Sequence, residues 1–552
     1  MKKIWFFFLV MTVYSAFAQN YTANCYRISL SDKNNSPYSI SNPSAYLSQR
    51  ALDKRARFNI AITEQDLPVN PQYIQQIKAV DTNIQVLCVS KWMNTVTLYC
   101  PDSTKLTSIT ALPFVTDYLP VADYFLQGEK KVSHSFENND VSIVSNPVKD
   151  SVTDYDYGNG FWQIALHNGH LLHNDGFLGN GMLIAVFDAG WTGMDTSNFF
   201  RPLFENGQIW GTRNLVPERN NIFDNHYHGT IVTSTMAIMA EGLLVGTAPE
   251  ASYYLIRSED PVYEQPIEED FWAQAAEIAD SLGADVVNSS LGYTTFRDFP
   301  QGDFTYEDMD GVTSIASRAA TILGQKGVVV CISAGNDGNN SWYHIGHPGD
   351  AFDVLTVGAA SVTGEIASFS SRGPSYDGRV KPDITSVGVS TACIWPGDYL
   401  GEANGTSLAS PVAAGLCACL WQALPDKTAS EIMQIVRESG SCYHNPNDSL
   451  GYGIPDFYAA YQQHVHDGIS ENSIPAACVF PNPCSSQFNI TIRDNNIDRV
   501  DLFSIDGKLV LSTHPDQHYF ISVDVQDVPS GFYIGRIYLK NKQIQTFRII
   551  KQ

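Results

Sequence analysis

Apolar and polar positions along the 552 residues fall into three regimes. Across residues 157–465, short unbroken apolar runs alternate with helical stretches. The runs 182–187, 252–256, 286–288, 328–333 and 354–357 read as strands, and 270–282, 314–325 and 407–421 as helices between them. Apolar strands separated by helices predict an α/β domain with a doubly wound, mostly parallel sheet covered on both faces. Residues 19–126 mix short strands (25–30, 84–89, 95–99) with two helices (44–59 and 70–80), the second opened by Pro71. A small α+β domain fits that pattern. In residues 477–552 the period drops to two through six segments, with Asp506-Gly507 as a hairpin turn, which predicts an all-β sandwich. Residues 127–156 lose apolar positions and read as a linker.

The N-terminus follows a different logic. Lys2 and Lys3 precede an apolar run over 4–14 and then Ala16-Phe17-Ala18. A basic start, a short apolar stretch and small residues at the end predict a secretory signal, residues 1–18, cut after Ala18. The run is too short to span a bilayer, which takes ~20 apolar residues, and no later segment is long and apolar enough to do so. The mature chain is therefore expected to have no integral membrane segment.

Export permits disulfides. The ten cysteines divide into Cys25, Cys88 and Cys100, then Cys331, Cys393, Cys417, Cys419 and Cys442, then Cys478 and Cys484. Cys417 and Cys419 lie two apart on a predicted helix and diverge. Most of the central group are expected as small buried residues. Cys478 and Cys484 are spaced for a local bridge. No pair of Cys or His has zinc spacing.

Charge sharpens the division. Residues 127–471 hold 15 basic against 43 acidic residues, whereas 19–126 hold 9 against 8 and 472–552 hold 8 against 7. An acidic chain lacks the basic footprint of a nucleic-acid binder, so no nucleic-acid partner is expected. Six of the acids sit between Glu259 and Asp270 (Glu259, Asp260, Glu264, Glu268, Glu269, Asp270). A solvated charge run is the expected reading, with an acidic rim favouring basic substrate side chains as the sharper one.

Three places carry candidate chemistry. Asp188 directly follows a buried strand, where functional groups of open α/β sheets gather. His228-Gly229-Thr230 opens a helix of small residues. Ser407, after Gly405, stands in the first turn of another. Together they offer a nucleophile, a base to take its proton, and a carboxylate to orient the base. The order Asp, His, Ser, with gaps of 40 and 179 residues, is one of the three known triad orders.

At this point the chain resembles a subtilisin-like serine protease (subtilase). Ile184 to Gly190 is similar to that family's Asp motif, His228-Gly229-Thr230 to its His motif, and Gly405-Thr406-Ser407-Leu408-Ala409-Ser410-Pro411 to its Ser motif. The resemblance implies Asp188, His228 and Ser407 as catalytic residues and Asn336, in Ser333-Ala334-Gly335-Asn336, as oxyanion donor. It implies Ser290, Leu291, Gly292, Ala334, Gly335 and Gly346 as substrate-binding residues, with Gly346-His347-Pro348 at the pocket base. The expected activity is peptide-bond hydrolysis through an acyl-enzyme, on protein or peptide substrates. No cofactor is needed for that chemistry. Structural calcium is an expectation that rests on Asp308 and Asp310 in Asp-Met-Asp-Gly, for which a plain turn is the alternative.

The flanking modules carry resemblances of their own. Residues 19–126, through Ser90-Lys91-Trp92-Met93-Asn94 and Leu112-Pro113-Phe114-Val115, look like a subtilase propeptide, which implies an inhibitor released by cleavage in the 127–156 linker. Residues 477–552 resemble the sorting domain of type IX secretion cargo, through Val479-Phe480-Pro481-Asn482-Pro483, Val500 to Val510 and Gly531-Phe532-Tyr533-Ile534. That implies the type IX machinery as a partner and passage through the periplasm to the medium or cell surface. The competing reading is a catalytically silent subtilase scaffold acting as a surface binding protein.

Overall fold

The computed structural model describes residues 23–123, 153–217, 221–465 and, further on, 478–480, 483–491, 497–504, 508–514, 520–540 and 544–552. The expected signal, nearly all of the linker and the Asp506-Gly507 turn lie outside the described residues. The chain divides into two compact units, 1–465 and 466–552.

The first unit opens with a four-stranded antiparallel sheet of β1 (Cys25–Leu30), β2 (Gln85–Ser90), β3 (Thr95–Tyr99) and β4 (Val115–Ala122), ordered β2-β3-β1-β4. Helix α1 (Gln49–Arg57) is shorter than its apolar pattern predicts. The Ser48 side chain caps it at Ala51 N, and residues 43–45 form a separate single turn. Helix α2 (Pro71–Lys78) starts where Asn70 caps Gln72 N and Pro71 has no N–H to lose. Ile28, Val96, Leu98, Ile77 and Phe114 make a core of their own.

The larger part is a seven-stranded parallel sheet. In chain order its strands are β5 (Leu183–Asp188), β6 (Ile209–Asn214), β7 (Ser252–Arg257), β8 (Val286–Ser289), β9 (Val329–Ser333), β10 (Leu355–Ala360) and β11 (Ile384–Val387). The spatial order is β11-β10-β9-β8-β5-β7-β6, so the winding reverses at β5. Side chains alternate between two cores. Ile184 and Val186 join one with helix α3 (His228–Ala237) and helix α6 (Thr406–Ala423). Leu183, Ala185 and Phe187 join the other with α4 (Ile267–Leu282) and α5 (Ile315–Gln325). Covering both faces is what removes polar alternation from these strands.

The second core is completed by the N-terminal domain, whose Cys25, Cys88, Trp92, Val121 and Ala122 are buried in it. Helix α4 ends at Gly283, in the left-handed region at φ +80°, and a Cβ there would sit 2.6 Å from Ala51 N. Glycine thus both caps α4 and lets α1 come close.

In the second unit, two antiparallel sheets share a core of Phe488, Ile490, Leu502, Val523 and Ile537, as expected for a sandwich. The suggested Cys478–Cys484 bridge is not formed, since Cys484 is a buried free thiol. Cys331, Cys393, Cys417 and Cys419 are likewise buried and free. No helix among the described residues is long and apolar enough to cross a membrane.

Candidate active site

Asp188 ends β5, at the point where the sheet reverses, and is fully buried. Its Oδ1 accepts from Ala189 N at 2.8 Å. His228 Nδ1 lies 2.9 and 3.0 Å from Oδ1 and Oδ2. A carboxylate only accepts, so Nδ1 carries the proton and Nε2 is the basic nitrogen. Burial pushes the imidazole pKa down, but the Asp188 charge and hydrogen bond outweigh burial and hold it above the ordinary histidine value.

Ser407 is the second residue of α6, which packs against α3. A Cβ on Gly405 would lie 2.8 Å from Ser407 Oγ, and Gly405 has φ +152°, so glycine is required there. Four residues on, Pro411 has no N–H for the Ser407 carbonyl. Ser290 Oγ supplies the missing donor at 2.8 Å. Asn288 Nδ2 holds Ser290 Oγ at 3.0 Å, and Ser410 Oγ holds Asn288 Oδ1 at 2.7 Å. The Ser290 side chain thus faces the serine helix.

Asn336 is exposed, and its Oδ1 accepts from Thr406 N (2.9 Å) and Thr406 Oγ1 (3.0 Å). That fixes the amide with Nδ2 on the Gly405 side. Thr406 Oγ1 also accepts from Gly335 N at 3.2 Å. Sequence reasoning gave no role to Thr406, Asn288 or Ser410. The proline inside a helix-forming stretch was the one signal that a carbonyl needed a side-chain donor.

The other expected pocket residues converge. Gly346 N donates to Ala334 O at 3.4 Å, and Tyr293 and His347 exchange backbone bonds of 2.7 and 3.0 Å beside Gly292. Leu291 is buried with Tyr293 and Phe296. A Cβ at Gly346 would press on Thr294 Cγ2 at 3.0 Å and Tyr293 O at 3.2 Å, tighter than ordinary van der Waals contact.

The acids between 259 and 270 do not form a solvated run. Asp260, Glu268, Glu269 and Asp270 are buried. Glu268 accepts from the backbone N–H of Asp260 and Gln265, and burial beside Glu264 and Glu259 raises its pKa well above the usual carboxylate range. Asp270 takes a bidentate pair from Arg27 at 2.7 and 2.8 Å. The same face of α4 continues the pattern. Glu277 accepts from Ser90 Oγ, Lys91 N and Trp92 N at 2.6, 2.8 and 2.9 Å, and Asp280 binds Arg55 at 2.8 and 2.9 Å. Arg27 and Arg55 of the N-terminal domain thus meet carboxylates of α4, and Asp66 of their own domain also lies 3.0 Å from Arg55. Beyond them, Val121 and Ala122 are buried, and Asp123 N donates to Gln265 Oε1 at 2.7 Å.

Asp308 and Asp310 are turn acceptors. Asp308 receives Thr305 N and Oγ1, and Asp310 receives Val312 N, Thr313 N and Thr313 Oγ1. No group of three or more His, Cys, Asp or Glu among the described residues is placed to hold a metal.

A doubly wound sheet with a carboxylate-bound imidazole at its reversal point and a serine heading a neighbouring helix marks a serine hydrolase. The family models narrow the class. Residues 179–453 match the Subtilase family, 25–137 the Peptidase S8 propeptide domain of Bacteroidota, and 478–552 a Secretion system C-terminal sorting domain. Serine protease AprX of Bacillus subtilis (strain 168) is 29% identical over 326 residues, 54% of this chain and 67% of that protein. Subtilisin E of the same organism is 29% identical over 295 residues (53% and 68%). M-protease of Shouchella clausii (strain KSM-K16) is 25% identical over 418 residues (76% and 94%). The chain belongs to the subtilases: it is a serine-type endopeptidase zymogen with its own propeptide and a type IX sorting domain, secreted or held at the cell surface.

Proposed function

We propose that the mature enzyme hydrolyses peptide bonds with Asp188, His228 and Ser407 acting as a unit. The observation that carries this reading is the His228 Nδ1–Asp188 pair, which commits the imidazole to one tautomer and leaves Nε2 to serve as base. His228 takes the Ser407 proton as Oγ attacks the carbonyl carbon. The Asn336 Nδ2–H and the Ser407 backbone N–H stabilise the oxyanion. Collapse breaks the C–N bond, His228 returns the proton to the leaving amine, and the acyl group stays on Ser407 until water repeats the sequence. The base, the nucleophile and the oxyanion donors in these steps are all protein groups. The segments 290–292, 334–335 and 346 form the pocket for the residue before the cut.

In the zymogen, residues 19–126 act as the inhibitor, seated on α4. The type IX machinery is the partner for export. A fluorophosphonate serine probe tests the centre. Processed enzyme should label and Ser407→Ala should not; absence of labelling in processed wild-type protein sinks the assignment.

A further inference from the structure

The pocket wall has a buried side-chain anchor, His347, that the reaction does not use. The backbone of His347 pairs with Tyr293, joining the two pocket segments. Its side chain goes to the body of the domain. Nδ1 lies 2.8 Å from Asp350 Oδ1 and 3.0 Å from Ser317 Oγ on α5. Ser317 Oγ donates to Asp350 Oδ1 at 2.5 Å, and Gly311 N donates to Asp350 Oδ2 at 2.7 Å. All three side chains are fully buried, and the Phe304 ring packs edge-on against the imidazole at 4.4 Å.

Ser, His and Asp here do not make a second nucleophile. The serine hydroxyl is committed to the carboxylate, and no substrate reaches a group with no exposed surface. The Asp350 carboxylate is held below its usual range: burial raises it, but the His347 charge, the hydrogen bonds from His347 and Ser317, and Gly311 N outweigh burial. His347 Nε2 has no hydrogen-bond partner among the described residues, so its polar anchoring runs through Nδ1.

We propose that His347 is a positioning residue for the pocket that receives the substrate side chain before the cut, clamping the 346–347 segment, and with it 292–293, to α5 through Asp350 and Ser317. The proposal deepens the Ser407 reading and rests on it. It follows that loosening the clamp degrades selection among substrates more than it degrades the reactivity of Ser407, which belongs to α6. Misplacement by ~1 Å away from the chemistry can cost up to about 10²-fold in rate.

The test uses the processed enzyme and a peptide series differing only at the residue before the cut. In His347→Ala the kcat/KM ratio of the preferred residue over alanine should fall about 10-fold or more, within that bound, chiefly through KM, while fluorophosphonate still labels Ser407. His347→Asn, whose amide can donate to Asp350, should recover most of the ratio. Ser317→Ala, a milder change, should lower it by about 3-fold, the order of one neutral hydrogen bond. An unchanged ratio in labelled His347→Ala, or in labelled Ser317→Ala should the first variant not fold, overturns the proposal. So does a His347→Asn variant no better than alanine. Failure of the wild-type enzyme to label overturns instead the assignment of Ser407.

Discussion

Replacing Asp280 by Asn should convert a tightly held propeptide into a weakly held one. Arg55 reaches from the propeptide to α4, with side chains 2% and 1% exposed at the two ends. Its Nη2 bonds both Asp280 oxygens, at 2.8 and 2.9 Å. Arg55 Nε and Nη1 are buried without hydrogen-bond partners among the described residues, so the guanidinium depends on Nη2 and its anions. Breaking a buried pair by removing one partner typically costs about 3–5 kcal/mol. Asp66 of the propeptide stays 3.0 Å from Arg55, so the charge is not stranded, and the lower end applies. About 3 kcal/mol is roughly a 10²-fold rise in Kd. The assay dilutes the self-processed complex and follows peptidase activity as the propeptide leaves; the midpoint gives Kd. Asp298→Asn, whose Arg297 partner is 48% exposed, is the control and should change little. An Asp280→Asn complex within 3-fold of wild type would refute the claim that this pair holds the propeptide, since the loss expected is ~10²-fold.

Further predictions concern the centre itself. Because Asp188 raises the His228 pKa and the base must be neutral, kcat/KM should fall with acid above the ordinary histidine range. In Asp188→Asn that acid limb should move to lower pH, and kcat should drop about 10⁴-fold, the order known for the corresponding residue of subtilisins; a pH–rate profile checks both. Thr406→Val removes the hydroxyl that fixes Asn336 and should lower kcat about 10-fold with KM little changed, less than losing the oxyanion donor outright. Leu408 is buried against Ile231 and Cys393, and burial pushes the Cys393 thiol up, out of the reactive thiolate form. Peroxide should therefore inactivate the enzyme slowly, and Leu408→Met should make it fast, with sulfoxide at residue 408 by peptide mass.

Strands buried on both faces were the most legible part of the sequence. The strands predicted at 182–187 and 252–256 appear within one residue as β5 and β7, because continuous apolar runs have few alternative uses. The edge strand β6 escaped notice, since Trp210 and Arg213 face away from any core and leave no period to read. Motif residues were legible through resemblance, but the side-chain directions were not. The Ser290 side chain donates to Ser407 O, a contact that no motif spells out. The acids from 259 to 270 were misread for a related cause: charge in sequence looks solvated when its cationic partners lie some 240 residues away, as Arg27 does from Asp270. Long-range pairing has no local period.

Pro411 has one more consequence. By leaving the Ser407 carbonyl to Ser290, it makes a residue of the proposed substrate wall part of the scaffold of the serine helix. A substitution at Ser290 made to broaden substrate range would disturb the helix that carries Ser407. The segment around His347 is tied to α5 instead, through the His347 side chain and Ser317, so a change there does not reach the serine helix by the same route.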